Sequence, residues 1–418
     1  MTTSPTSTIN VIDLFAGCGG FTQGFREFTA TPQGRESPFR TVGAVEVDIA
    51  AASTYAVNFA DEAGGTDHIF AGDEQGDVTK WDPGQVEADV DVILGGPPCQ
   101  GFSGLGKAEQ DDPRNKLWRD YMRVVNALHP KVFVMENVDR FFGSPEYKEL
   151  RRTLQEATER PDGQLRDYHL ESGVLNAADY GVPQARRRTI ILATRRDLIA
   201  EHPEKRPLVH PKATHRKPEA SDKNSLIEVD DIFPPWVAAR TVFEMTPKET
   251  STTALPDRVT APLGHDVPGS FKTTDLHIGR NPRPLSLARY AAIPEGGNRH
   301  DLPPELSTDS WLNHRSGSGD VMGRMYWDKP SVTIRTEFYK PEKGRYLHPS
   351  ENRPITHLEA ALLQGFPRDF LWCGSKIQIA RQIGNAVPVG LSRAIAGQVY
   401  AYLEITGQVR RPTVRKTA

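Results

Sequence analysis

The sequence predicts an α/β fold: a mostly parallel sheet with an antiparallel edge hairpin, accompanied by a smaller second domain. Three observations carry that reading. Four short apolar runs, Ile9–Phe15, Val42–Val47, Asp91–Leu94 and Lys131–Met135, have the length and continuity of strands buried on both faces. Each gives way to glycines or to a carboxylate, so chemically capable residues gather at strand ends, where open α/β sheets place their ligands. From about His202 prolines multiply and long apolar runs vanish, which marks a domain boundary.

At 418 residues the chain can bury a large core, and its 35 glycines and 33 prolines indicate many turns. Its three cysteines, Cys18, Cys99 and Cys373, stand far apart with no CxxC pair, which argues against a disulfide framework and against a thiolate zinc site. The histidines, among them His210, His215, His314, His348 and His357, show no metal-ligand spacing, and no metal is expected. The opening MTTSPTSTIN has neither the basic cap nor the apolar core of a signal peptide. Mean hydropathy is -0.51 with no long apolar span, so the expectation is a reduced, cytoplasmic protein without a membrane segment. Net charge is -3, so any contact with a polyanion must come from a local basic surface.

The first apolar run breaks into AGCGGFTQGF, which reads as a strand, a glycine-rich turn and the start of a helix. Gly17, Gly19 and Gly20 let the backbone pass close to a nucleotide-type ligand, although their spacing is not the GxGxxG of dinucleotide enzymes. Glu46, near the end of the second strand, can accept hydrogen bonds from both hydroxyls of a ribose. Asp73 and Asp77 compete for a third ligand position. The Asp91–Leu94 run then leads into Gly95–Ser103, GGPPCQGFS. Its two glycines permit close backbone approach, Pro97 and Pro98 stiffen the exit, and Cys99 is presented rigidly at a strand's carboxyl end. A lone cysteine is more often a small, inert core residue; held in this turn it suggests a nucleophile.

Asn115–His129 carries Leu117, Tyr121, Val124, Val125 and Leu128 at helical spacing and reads as a packing helix. Lys131–Met135 ends in Glu136, Asn137 and Val138. Glu46, Asp77, Cys99 and Glu136 thus each follow a separate parallel strand, and all converge on one edge of the sheet. Asp167–Leu175 and Thr189–Thr194 read as a strand pair joined by Asn176–Arg188; if they are antiparallel, that loop, with Gln184, Arg186 and Arg188, returns to the edge of Cys99. Farther on, Lys205, Arg206, Lys212, Arg216 and Lys217 occur as a basic group. Aromatics and arginines interleave between Trp311 and Tyr339, a mixture that suits a nucleic-acid surface and equally an ordinary polar domain. Arg353–Phe366 reads as a helix with Thr356 as N-cap and Glu359 completing a capping box. Leu391–Leu403 is an apolar-faced helix, followed by a basic tail.

PPCQGFS resembles the nucleophile loop of the cytosine-C5 DNA methyltransferases. The other motifs of that family follow in order: DLFAGCGG, GDV, DPRNKL, ENV, QxRxR and QIGNAVPVG. The resemblance covers Val11–Thr194 and Arg353–Leu391, and matches the middle in length and position alone. It implies a Rossmann-like S-adenosylmethionine methyltransferase sheet, with residues 1–200 as catalytic domain, 201–374 as target-recognition domain, and 375–418 returning to the catalytic domain. The resemblance further implies that S-adenosylmethionine, released as S-adenosylhomocysteine, contacts Phe15, Ala16, Gly17, Gly19, Gly20, Glu46, Val47, Asp77, Val78, Pro97, Leu117, Asn385 and Val387. GDV favours Asp77 over Asp73, while Leu117 also reads as a plain core leucine. Cys99 would be the nucleophile and Glu136 the general acid, with Arg186 and Arg188 holding the target base and a neighbouring phosphate.

The implied activity is methylation of carbon 5 of a flipped-out cytosine in a specific sequence of double-stranded DNA, through a covalent bond from Cys99 to carbon 6. A monomeric bacterial or phage enzyme is expected, nucleoid-associated through DNA and working beside a restriction endonuclease or other defence proteins. Two rival readings differ in substrate or in class. A tRNA cytosine methyltransferase is similar in the same motifs, but the long unmatched middle favours DNA. A non-catalytic DNA-binding relative would have lost the cysteine, the glutamate or the arginine, and all three are present.

Overall fold

Apolar runs alternate with amphipathic helices along the first part of the chain, an order that favours parallel strands joined by helical crossovers. The structure is a computed structural model that describes residues 8–31, 34, 36–98, 116–156, 168–218, 233–313 and 319–409. In order come β1 (Ile9–Leu14), α1 (Gly20–Glu27), β2 (Phe39–Glu46), α2 (Ile49–Ala63), β3 (Ile69–Ala71), the one-turn α3 (Gly72–Gln75) and β4 (Val92–Gly95). They are followed by α4 (Leu117–Leu128), β5 (Val132–Val138), α5 (Pro145–Glu156), β6 (Tyr168–Asn176), β7 (Arg187–Arg195) and α6 (Arg196–Glu201). Among the described residues, seven strands form one sheet in the order β3-β2-β1-β4-β5-β7-β6. The neighbours from β3 through β5 pair in parallel, and β7 runs antiparallel to β5. The expected mixed sheet is therefore observed.

Two compact units divide the chain: one of Met1–Leu175, Arg187–Lys212 and Val389–Ala418, the other of Asn176–Arg186 and Ala213–Pro388. The first unit is centred on the sheet, where Ile12, Leu14, Ile93, Phe133, Met135 and Ile191 pack with Tyr121 and Val125 of α4. Tyr121 is fully buried, its hydroxyl 3.1 Å from the Ile93 carbonyl and 3.0 Å from that of Val134, so α4 is locked across β4 and β5. The last helix, α12 (Val389–Ile405), returns to this unit against α1. Ser392 donates to the Phe21 carbonyl at 2.7 Å, and a Cβ on Gly24 would collide with Ser392, so the two backbones meet where no larger residue fits.

In the second unit regular structure is sparse: α7 (Arg240–Phe243), β8 (Val259–Thr260), β9 (Val267–Pro268), β10 (Phe271–Lys272), α8 (Pro284–Ala292), α9 (Asp309–Asn313), α10 (His357–Leu363), β11 (Leu371–Trp372) and α11 (Lys376–Asn385). Buried polar side chains tie the irregular segments together. Arg324, 3 % exposed, donates to the carbonyls of Tyr290, Ile293, His348 and Glu351 beside a small core of Tyr290, Ile293, Leu302, Met322 and Leu347. The unit boundary differs from the sequence expectation. The return falls at Val389 rather than 375, because the Gln364 amide donates to the Ile383 and Ala386 carbonyls and so keeps α11 with the second unit. Asn176–Arg186 also belongs with the second unit rather than with residues 1–200.

The capping box of α10 is present. Thr356 Oγ1 accepts from the Glu359 amide at 3.2 Å, and Glu359 Oε2 accepts from the Thr356 amide at 2.7 Å. Burial pushes the Glu359 carboxyl up, but a two-pronged contact from Arg353, at 2.7 and 2.9 Å, holds it below its usual range. Burial pushes His348 and His357 each down to about 4 from an ordinary 6.5. The unfolded chain thus binds more protons between those values, and stability falls as pH drops from about 6.5 to about 4, by about 1.4 kcal/mol per pH unit for each histidine. The contribution of Glu359 is lost at lower pH still, as its depressed folded value is crossed. Urea unfolding across this window should show that slope in the parent, and a His348→Gln/His357→Gln variant should flatten it; an unchanged slope would remove the histidines from the account.

Candidate active site

In a parallel sheet every strand presents its carboxyl end to the same edge, and an antiparallel strand presents its start there. On that edge of the first unit, the chain leaves β1 through Phe15 (φ 57°), Gly17 (φ 56°) and Gly19 (φ 87°), a left-handed turn that glycine makes at little cost. The Ala16 amide donates to the Val45 carbonyl at 3.1 Å. Glu46 completes the clamp, its Oε2 accepting from the Gly17 amide and its Oε1 from the Asp48 amide, both at 2.8 Å. Each carboxylate oxygen keeps a lone pair for a further donor. Burial pushes the Glu46 carboxyl up, and these amides oppose the shift.

A Cβ placed on Gly17 would meet nothing within 4 Å, so open space lies above the turn. A Cβ on Gly19 would strike the Phe59 ring, and Gly20 begins α1. Phe15 packs on the core and Ala16 is buried, whereas Val47 is 48 % exposed, a large apolar side chain directly after Glu46. A Cβ on Gly76 would collide with the Glu46 carbonyl, so the segment after β3 lies on the end of β2 and brings Asp77 to the same edge. Partial burial pushes Asp77 up, but the Thr79 hydroxyl (2.7 Å) and amide (3.0 Å) and Lys80 (3.3 Å) hold its carboxyl below the usual range. Asp73 is exposed on α3, and Val78 is part of the core. Leu117 is half-buried at the start of α4.

Asp13 was not singled out by the sequence. It lies fully buried in β1 beneath the turn, where Tyr55 donates to Thr22 and Thr22 donates to Asp13 at 2.7 Å; burial pushes its carboxyl up to about 7. An acid inside an otherwise apolar run was the available signal.

The other end of the edge is built by β4, β5 and β7. A Cβ on Gly95 would come within 2.7 Å of the Leu14 carbonyl and the Tyr121 ring, and one on Gly96 would lie 3.0 Å from Glu136 Oε2. Asn137 Nδ2 donates to the Pro97 carbonyl at 3.0 Å, so the end of β5 grips the segment that leads to Cys99. Cys99 itself, with the rest of residues 99–115, lies outside the described residues. Glu136 Oε1 pairs with Arg188 Nε at 2.8 Å, the two side chains 11 % and 12 % exposed. Arg188 stands in β7 opposite Val138, not in the preceding loop, because β7 begins at Arg187 and its pairing with β5 runs to Arg188. Its position is therefore fixed by a ladder.

Arg186 is a different case. It belongs to the second unit, is 2 % exposed, and spends Nη1 on the Ile334 carbonyl (2.8 Å) and Nη2 on the Gly384 carbonyl (2.9 Å). Burial and main-chain bonding make it a positioning residue for the Ile334 and Gly384 segments of the second unit. Gln184 is equally buried, donating to Gln364 Oε1 at 2.8 Å and accepting from the Ile334 amide at 2.8 Å. Asn385 is exposed and Val387 buried in this same unit. Among the described residues no group of three or more His, Cys, Asp or Glu could hold a metal ion, and no helix is long and apolar enough to cross a membrane.

Comparison with known proteins gives a consistent picture. The family profile of the C-5 cytosine-specific DNA methylases matches residues 9–401. The Type II methyltransferase M1.HphI of Haemophilus parahaemolyticus is 32 % identical over 402 residues, covering 94 % of this chain and 87 % of that protein. The Type II methyltransferase M.DdeI of Desulfomicrobium norvegicum is 31 % identical over 421 residues, covering 95 % and 89 %. In fold, the chain resembles a prophage-encoded DNA modification methyltransferase structure from E. coli with a TM-score of 0.61 at 22 % identity, over 95 % of this chain and all of that one.

Arg186→Ala should destabilise the second unit by about 2–4 kcal/mol, since two buried carbonyls lose a charged donor. Arg186→Lys should recover less than half of the loss, because an ammonium cannot span both acceptors. Urea unfolding checks both, and parent-like stability of Arg186→Ala would contradict the positioning role.

Proposed function

Because the chain belongs to the C-5 cytosine-specific DNA methylase family, we propose that it moves a methyl group from S-adenosylmethionine to carbon 5 of a cytosine flipped out of double-stranded DNA. The observation that carries this reading is the buried Glu136–Arg188 pair, joined through Asn137 to the segment that runs out to Cys99. Its named relatives are Type II methyltransferases, and we infer the same setting here: one modified sequence, shared with a restriction endonuclease, and a monomer acting on DNA in the cytoplasm.

The sheet edge fits an adenosine-bearing cofactor. Space lies open above Gly17, Glu46 offers one lone pair on each oxygen to a pair of ribose hydroxyls, and the exposed face of Val47 suits a flat ring. Phe15, Ala16, Gly17, Gly19, Gly20, Glu46, Val47, Asp77, Val78, Pro97 and Leu117 would hold it on this edge, and the family resemblance adds Asn385 and Val387. When bound, S-adenosylmethionine supplies an electrophilic methyl group.

Carbon 5 of cytosine is a poor nucleophile, and the chain's own residues must change that. The Cys99 thiolate attacks carbon 6, and the electron pair displaced from the ring double bond makes carbon 5 nucleophilic. Glu136 hydrogen-bonds or protonates nitrogen 3 as charge develops on the ring, while Arg188, held by the same carboxylate, binds the base's carbonyl oxygen. After carbon 5 takes the methyl group, its proton is removed, the sulfur–carbon 6 bond breaks, and its electron pair returns to Cys99. Carbon 6 is out of reach inside a stacked duplex, so the base must first leave the helix, at a cost of a few kcal/mol.

Bisulfite sequencing of DNA from expressing cells should show 5-methylcytosine at one short sequence with the parent and none with Cys99→Ala. Glu136→Gln should lower kcat by about 10²–10⁴-fold; normal turnover would reduce ENV to a strand end. Glu46→Ala should weaken S-adenosylhomocysteine binding about tenfold or more by calorimetry while DNA binding persists. Unchanged cofactor affinity would show that Glu46 only braces the glycine turn.

A further inference from the structure

The second unit holds a cavity of about 320 Å³ whose walls include none of the residues assigned above. That volume lies at the small end of the range of about 300–1,000 Å³ for small-molecule sites, enough for one ring system with its substituents. Part of the wall is a stacked pair of rings, Tyr339 and His357, with centroids 5.9 Å apart and planes 15° from parallel. His357 is fixed in place, since its Nε2 must donate to the Lys376 carbonyl at 3.0 Å. Leu287 and Ile377 also line the cavity, and both are large apolar side chains left exposed.

Charge in the lining is of one sign. Arg280 donates to the Tyr339 carbonyl and Lys376 to the Thr253 carbonyl, contacts that hold both side chains without neutralising them. Among the described residues neither forms an ion pair, and no Asp or Glu lines the cavity. Arg353, by contrast, is spent on Glu359. Two uncompensated cations beside a stacked aromatic wall and exposed aliphatic groups match a ligand that joins a flat ring to an anionic group.

We propose that this cavity binds a mononucleotide unit, with its base against Tyr339 and His357 and its phosphate on Arg280 and Lys376. The same chemistry is offered by a free nucleoside monophosphate and by one nucleotide of a DNA strand. The site does not depend on the methyl-transfer reading.

Saturation-transfer NMR of AMP, GMP, CMP and TMP with the full chain tests it, in the presence of saturating S-adenosylhomocysteine. At least one nucleotide should bind saturably despite the cofactor product. Its nucleoside should bind about tenfold more weakly, and Arg280→Ala/Lys376→Ala should weaken the nucleotide about tenfold or more. Retained S-adenosylhomocysteine binding shows that the double variant is folded; should it fail, each single substitution is measured in its place. Displacement of the bound nucleotide by a short DNA duplex would name the DNA strand as the source, and its persistence would name the free nucleotide. No binding, displacement by S-adenosylhomocysteine, or indifference to loss of both cations would each overturn the proposal.

Discussion

The Glu136–Arg188 ion pair exists because β7 enters the sheet against the direction of β5. Parallel strands deliver only carboxyl ends to the functional edge; one antiparallel strand adds a residue at its start, and ladder pairing places Arg188 opposite Val138, two residues from Glu136. A pair this buried is a poor investment in stability alone, because desolvation of both charges offsets most of their attraction. In the proposed reaction its value is fixed polarity. A carboxyl group and a guanidinium held in one geometry before a substrate arrives need no reorganisation when charge develops on a ring.

The same rigidity governs the glycine-turn end of the edge. Glu46 binds two main-chain amides, one from the turn after β1 and one from the residues leading into α2, and so makes the glycine turn and the strand end a single rigid piece. Beneath it, the Tyr55–Thr22–Asp13 chain ends on a carboxyl group, and an apolar residue in place of Asp13 would leave the buried Thr22 hydroxyl without its acceptor. The second unit follows another rule. Among the described residues it has few strands to satisfy its main chain, so Gln184, Arg186, Arg324 and Gln364 carry out that task from buried positions beside its apolar core.

How much of this was legible depended on whether the signal was local. Buried strands announce themselves as apolar runs, and the residue after each run is read directly from its end; hence the sequence already placed Glu46, Asp77 and Glu136 at strand ends, and the structure brings them with Arg188 to one edge. The Thr356–Glu359 capping box was legible for the same reason, being confined to four residues. Arg186 was not, since its acceptors lie 148 and 198 residues away and arginine composition signals surface rather than interior. Arg188 was taken for a loop residue because three consecutive arginines hide the continuation of a strand whose register is set by β5. Gln364 and the return point at Val389 were missed because both depend on side-chain to main-chain bonds that leave no periodic trace.

The most direct test of the central claim uses a duplex whose target cytosine carries fluorine at carbon 5. Fluorine cannot depart as the proton does, so the thiol cannot be expelled once methyl transfer has occurred, and the enzyme should remain bonded to the DNA. The account predicts a one-to-one, denaturant-resistant adduct that forms with S-adenosylmethionine present, maps by peptide mass spectrometry to Cys99, and is absent from Cys99→Ser. A chain that methylates ordinary DNA yet forms no adduct, or an adduct on Cys18 or Cys373, both buried within the fold, would contradict it.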